Sequence, residues 1–248
     1  EEQEEEEQEE QESWLSRWKT VQACRARKEG ALRSAKQRGK LADAISYYKV
    51  GAADGSRSVA VEAAHFFFSY ASCLDPSDLG DVLAELDNKL LTPLQWQVLR
   101  ETYVAQLQFV SMPFEAAMRV FLCNSGFRLP GEAQKIDRLL EAFCAHFCRQ
   151  NPDTFQDAGA DGAFVVAFAL VMLNTDLHDP RLKQGKSSRK PMTLQQFVSN
   201  LRGVNKGQDF DRLFLEKMYH SVAEEAIEWK DSDGGIGGGG GGGDDSNA

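Results

Sequence analysis

Three side chains capable of metal or redox chemistry fall within five positions, Cys144, His146 and Cys148. Thiols four residues apart share one side of a helix, a spacing that two ligands of one metal ion can use. The imidazole between them points to a different face. The chain has five cysteines, at 24, 73, 123, 144 and 148, and no two form a CxxC pair. An odd count without that spacing reads as reduced cytosolic thiols, and positions 144 and 148 as core. A glycine-rich phosphate loop, a zinc-spaced His/Cys set and a nucleophile elbow are all missing from the sequence. No metal site and no cofactor is expected, and a conventional covalent enzyme is disfavoured.

The elements that would carry any site are helical. Phe127-Arg-Leu-Pro130-Gly131-Glu132 reads as a short loop that enters a helix. Beyond it Ile136, Leu139, Leu140, Phe143 and Phe147 recur at helical spacing. Ala163 to Leu173 is the longest apolar run, 11 residues, and reads as a helix buried on all sides. That is short of the ~20 residues of a membrane span, and no signal peptide or span is read. Asp75-Pro-Ser-Asp78 has the form of a helix start, with Asp75 as cap and Pro76 in the first turn. Thr193 can cap a helix opened by Leu194. Further helices are expected over 40–50, 58–70, 94–109, 114–122, 132–149, 163–177, 193–201 and 210–229. No segment alternates with period two. The expected fold is all-α, an irregular stack of about ten short helices.

Charge is distributed unevenly. The net charge is -10, and Glu1 to Glu12 contributes nine glutamates. That run has nothing to bury and reads, as 1–13, as an acidic disordered tail. Residues 231–248, with their glycine run, read as a disordered linker. The domain between them, 14–230, is nearly neutral, which argues against a nucleic-acid binder. Between Arg17 and Lys40 stand nine Lys or Arg and one Glu. A solvated first helix accounts for that face; weak contact with an anionic membrane surface, or with the acidic tail, is the alternative.

Three blocks of wording go further. Leu74-Asp75-Pro-Ser-Asp-Leu79-Gly80-Asp81-Val-Leu83-Ala84-Glu85 is the first. The second runs from Phe127 through Arg138 to Asn151-Pro152, and the third is Phe168-Ala-Leu-Val-Met172-Leu-Asn174-Thr-Asp176-Leu-His178. In this order and spacing they resemble the Sec-seven family, domains that exchange guanine nucleotide on Arf-type small GTPases. The resemblance covers about residues 20–230. It implies an elongated right-handed stack of helices with a hydrophobic groove for the GTPase switch regions. Phe168, Met172, Asn174, Thr175, Asp176 and His178 become groove candidates, and Phe127, Arg128, Pro130, Gly131 and Glu132 the signature loop. The apolar members of the third block also fit a plain core, and the polar ones a plain helix end.

By the same resemblance Glu85 is the catalytic glutamate finger. Exchange breaks no covalent bond. A carboxylate pushed against the nucleotide would displace Mg²⁺ and repel the β-phosphate. At about 4 Å and an effective dielectric of ~20 the repulsion is roughly 4 kcal/mol, worth about a thousandfold in release rate if fully realised. Asp81 and Asp87 are nearby substitutes. The implied setting is cytoplasmic, with peripheral recruitment to Golgi or endosomal membranes in vesicle trafficking. Ala84 stands where the family often has glycine, and a left-handed backbone there would cost alanine about 1 kcal/mol. Leu90 to Leu94, Cys123 to Gly126 and Gln184 to Lys190 look longer than the family pattern. Ala84 and the insertion after Glu85 motivate an alternative, an exchange-inactive Arf-binding scaffold. Members sensitive to the inhibitor brefeldin A tend to carry Tyr-Ser where this chain has Phe168-Ala169. Asp176 and Met192 look like the sensitive type, and the pair at 168–169 tips the reading to resistance.

Overall fold

The computed structural model describes residues 22–23, 25–37, 39–49, 57–179 and 190–228. The acidic run, the glycine run and most of the 184–190 insertion lie outside them. So do Arg17, Lys19 and Arg38 of the basic stretch.

Among the described residues every regular element is helical, as expected. The order is α1 (25–35), α2 (Ser46–Lys49), α3 (Arg57–Tyr70), α4 (Pro76–Leu83), α5 (Pro93–Val104) and α6 (Phe114–Asn124). Then follow α7 (Ala133–Gln150), α8 (Gly159–Leu177), α9 (Leu194–Asn200) and α10 (Arg212–Glu224). The starts follow local chemistry. Asp75 accepts from the N–H of Ser77 at 2.8 Å and of Asp78 at 3.1 Å, with Pro76 next in line. Thr92 with Gln95, and Thr193 with Gln196, form reciprocal capping boxes that open α5 and α9. The segment after Glu85 thus builds a helix start: Asn88 turns the chain, Leu91 is buried and Thr92 caps α5.

Two expected helices are too long in the sequence reading. The 94–109 helix stops at Val104, and the 210–229 helix stops at Glu224. Beyond Glu224 the chain continues as a strap, whose carbonyls at Glu225 and Ala226 accept from Arg119 on α6. A strap held by side chains leaves no periodicity to read. The stretch expected as one helix over 40–50 is instead a 3-10 turn, Leu41–Ile45, followed by α2.

The core is aromatic. Phe121 stacks on Phe143 at 4.8 Å, and Phe114 meets Phe147 and Phe155 edge-on at 5.0 and 4.7 Å. Edge-on and offset pairs are the favoured geometries for such rings. This cluster joins α6, α7 and the turn before α8. α3 packs on α5, and α8 lies between α7 and α10. With the turn before it, α8 spans 22 residues and contains an 18-residue stretch of mean hydropathy 1.6, long and apolar enough by composition alone to cross a membrane. Here one side of it is buried against α7 and α10, and the other side stays open.

Candidate functional site

α8 presents its open side through Val165, Phe168 and Met172, which are 41%, 42% and 56% exposed. Positions three and four apart share a helix face, so this is one apolar stripe. α9 lies alongside, and the two helices wall a depression of about 490 Å³ lined by Phe164, Phe168, Met172, Met192, Phe197 and Leu201. Through Phe164 and Val165 it continues into a second depression of about 780 Å³ bounded by α5, α7 and Leu86. Through Met172 and Met192 it continues the other way to Asp176, Lys190 and Asn200. The three make one groove. Leu86, 44% exposed, stands at its α5–α7 end.

Glu85 precedes Leu86 in the loop that leaves α4. The helix ends at Leu83. Ala84 is buried with φ −89° and ψ −1°, an ordinary right-handed conformation, so alanine carries no left-handed penalty. Glu85 is half-buried rather than fully exposed. Its Oε1 accepts from the backbone N–H of Leu86 at 2.9 Å and of Asp87 at 3.3 Å. Among the described residues no Lys or Arg is in ion-pair contact with it. Asp81, one of the alternative acids, is committed elsewhere, with Lys135 Nζ 2.9 Å from its carboxylate. Asp87 is exposed, and its N–H serves Glu85.

Two arginines hold this loop from beneath. Arg100 on α5, 5% exposed, donates from Nη1 to the carbonyls of Leu83 at 3.0 Å and Glu85 at 3.2 Å. Arg138 on α7 donates from Nε to the Ala84 carbonyl at 2.8 Å. Burial lowers the Arg100 pKa, and the like charge of Arg138 lowers it further; Glu101 and Glu141 act the other way. Sequence reasoning missed both as site residues. Arg138 closes the signature block, and Arg100 sits among the apolar positions of α5, an unusual place for a charge.

The signature loop supports α4. The N–H of Arg128 donates to the carbonyl of Pro76 at 2.8 Å. A Cβ added at Gly80 would lie 1.8 Å from the Arg128 carbonyl oxygen, so only glycine lets α4 approach this closely. Phe127 and Pro130 are buried, while Gly131 and Glu132 are exposed. Glu132 precedes α7 without capping it by its side chain, which instead lies 3.2 Å from Lys135 Nζ.

The third block divides. Phe168 and Met172 line the groove, and Thr175 is half-buried. Asp176 lines the groove's far end and accepts from the N–H of Met192. Asn174 and His178 face away from it. Asn174, 2% exposed, donates to the Ile227 carbonyl at 3.0 Å and accepts from the Ile227 N–H at 2.7 Å. His178 Nε2 lies 2.7 Å from the Val222 carbonyl on α10. Both fasten the C-terminal strap and helix to α8. Their polarity matched a binding block, but a backbone partner fifty residues away is invisible in sequence.

The Cys144, His146 and Cys148 set serves the interior. Cys144 is fully buried, and burial pushes its thiol well up. Burial pushes Cys148 up to about 11. His146 Nε2 lies 2.9 Å from the Leu107 carbonyl. Protonated thiols and an engaged imidazole are poor metal ligands.

Comparison with known proteins converges on one family. The family model described as the Sec7 domain matches residues 34–227. The brefeldin A-inhibited guanine nucleotide-exchange protein 3 of Arabidopsis thaliana is 38% identical over 69% of this chain and 9% of its own length. The ADP-ribosylation factor guanine nucleotide-exchange factor SEC7 of Saccharomyces cerevisiae is 38% identical over 62% of this chain and 7% of its own. The chain thus spans about a tenth or less of the length of these curated relatives. Among solved structures, Legionella pneumophila RalF in its F255K form has a TM-score of 0.68 and 33% identity, covering 82% of this chain and 54% of that one. A structure of ARF1-GDP bound to a Sec7 domain complexed with brefeldin A has a TM-score of 0.61 and 28% identity, covering 82% of this chain and 95% of that one.

Proposed function

Because this chain belongs to the Sec7 domain family, we propose that it accelerates release of GDP from an Arf-type small GTPase by inserting Glu85 at the nucleotide site. The observation that carries the proposal is the placement of Glu85. It stands, without an ion-pair partner among the described residues, in the loop at one end of an apolar groove. The relatives are named as exchange factors, and a related domain is solved with ARF1-GDP.

In this reading the switch segments of the GTPase bury Val165, Phe168, Met172 and Leu86. Glu85 then exchanges its two backbone N–H partners for the Mg²⁺ and phosphate environment. Those N–H groups stay beside it and return on release, so the carboxylate has its donors before insertion and after it. The exchanger stabilises the nucleotide-free GTPase, and either nucleotide displaces it; the more abundant one refills the site. Action at a Golgi or endosomal membrane face, and resistance to brefeldin A, belong to the same proposal. Phe168 and Ala169 line the groove where the family's sensitive members carry Tyr-Ser.

The test is release of fluorescent GDP from an N-terminally truncated Arf-type GTPase, with the parent domain against Glu85→Lys. Strong acceleration by the parent, lost in the variant while binding persists, is the expected result. Equal acceleration by both removes Glu85 from the mechanism, with exposed Asp87 next. Binding without acceleration by the parent supports the exchange-inactive scaffold, a reading favoured by the self-satisfied carboxylate of Glu85.

A further inference from the structure

We propose that Arg100 and Arg138 are positioning residues that set the exchange rate by holding the backbone beneath Glu85; this rests on Glu85 being the catalytic acid. Three consecutive carbonyls, of Leu83, Ala84 and Glu85, begin at the last residue of α4. Each receives a guanidinium donor, from Arg100, Arg138 and Arg100 respectively. Helix ends ordinarily leave such carbonyls to water, glycine caps or 3-10 turns. Here they are answered from two other helices, α5 and α7. The direction of residue 85 is therefore referred to that packed platform and not to the end of an eight-residue helix alone.

The arrangement is costly unless it does something. Two guanidinium groups are brought close enough to act on one another, and Arg100 is almost completely withdrawn from water. Glu101 and Glu141 provide the answering negative charge, which leaves the Glu85 carboxylate outside that network. Neutral donors would satisfy carbonyls equally well. Arginine adds a planar guanidinium, whose Nη1 holds its two N–H groups in fixed directions and so reaches carbonyls two residues apart. Residue 85 is thus fixed by its carbonyl, and its carboxylate is lightly held by two N–H groups. Insertion frees the side chain alone. A reacting group misplaced by about 1 Å costs on the order of a hundredfold, so a loosened platform lowers the maximal rate; both arginines also line the α5–α7 depression, and a role in partner contact there would instead raise the half-saturating concentration.

Two variants test it. Arg138→Met keeps the aliphatic stem of a half-buried side chain. Arg100→Lys keeps the charge of a side chain that is 5% exposed, but is shorter and loses the planar guanidinium. GDP release from a fluorescently loaded Arf-type GTPase is followed against exchanger concentration, beside amide hydrogen exchange over 84–87 and thermal melting by circular dichroism. The expected result in both is a maximal rate down about tenfold to a hundredfold, an unchanged half-saturating concentration, and faster amide exchange confined to that loop. Unchanged maximal rates overturn the proposal. So does a loss that tracks the fraction of unfolded protein, or a rise in half-saturating concentration with the maximal rate intact. If the parent itself releases no GDP, the exchange reading fails. Amide exchange then decides the clamp by itself: loosening confined to 84–87 retains it, and unchanged protection overturns it too.

Discussion

Replacing Gly80 by alanine tests whether the signature loop governs the position of Glu85. The added Cβ would lie 1.8 Å from the backbone oxygen of Arg128. Carbon and oxygen in ordinary contact stand about 3.3 Å apart or more, so α4 and the loop must separate by roughly 1.5 Å. Backbone offers no rotamer by which to yield. Gly80 is also in the last turn but one of α4, whose end carries Ala84 and Glu85. Alanine gains about 1 kcal/mol of helix propensity over glycine, against an overpacking cost of about 1–3 kcal/mol and at times more. A clash with a main-chain atom belongs at the upper end, for a net loss of about 2 kcal/mol. For a domain of this size that lowers the midpoint by roughly 4–8 °C. The displacement also exceeds the ~1 Å that costs about a hundredfold in rate. Urea and thermal melts give the first number, and GDP release from an Arf-type GTPase below the midpoint gives the second. A variant with parental stability and parental exchange would refute the view that the signature loop sets the height of α4.

Met172→Asp should abolish detectable binding to the nucleotide-free GTPase and leave thermal stability unchanged, because Met172 is exposed and no core packing depends on it. Asn174→Ala should behave oppositely. It strands the N–H and carbonyl of Ile227 in the interior and should cost about 2–4 kcal/mol in urea melts, with affinity for the GTPase unchanged in the folded protein; lost affinity at parental stability would return Asn174 to the groove. Burial lowers the pKa of His146, ahead of the opposing Leu107 carbonyl and the repulsion from Arg149. The unfolded chain therefore takes up this proton at higher pH than the folded one. The stability His146 contributes is present above the ordinary histidine range and lost as pH falls through it, near 6.5. His146→Gln should flatten the fall in stability between pH 7.5 and 5.5, and an unchanged slope would assign that fall to other groups.

The part of this molecule legible in sequence is the part decided over short distances. Asp75 and Thr193 announce their helices because a cap is a contact between residues three or fewer apart; Thr92 caps α5 by the same short contact, inside a segment whose sequence reads as an insertion. The stripe of α7 is readable because its period is set by the helix itself. Phe168 and Met172 were ambiguous, since an apolar face looks the same whether a neighbour covers it or a partner does. What decides between them is the distance at which α9 stops short, a property of the whole fold. Asn174 shows the converse: a polar residue in a binding-block pattern is consumed by a strap from the far end of the domain. The arginines beneath Glu85 were hidden for the same reason. Their donors end on carbonyls, and every residue has a carbonyl, so no residue type in positions 83–85 marks the contact. A charge placed among apolar neighbours is nevertheless a signal, because burying an unpaired guanidinium costs several kcal/mol. Arg100, between Leu99 and Tyr103 on the buried side of α5, marks a position where the chain must supply acceptors from somewhere else. In this fold it supplies them from the end of α4, directly beneath the acid on which the proposed exchange depends.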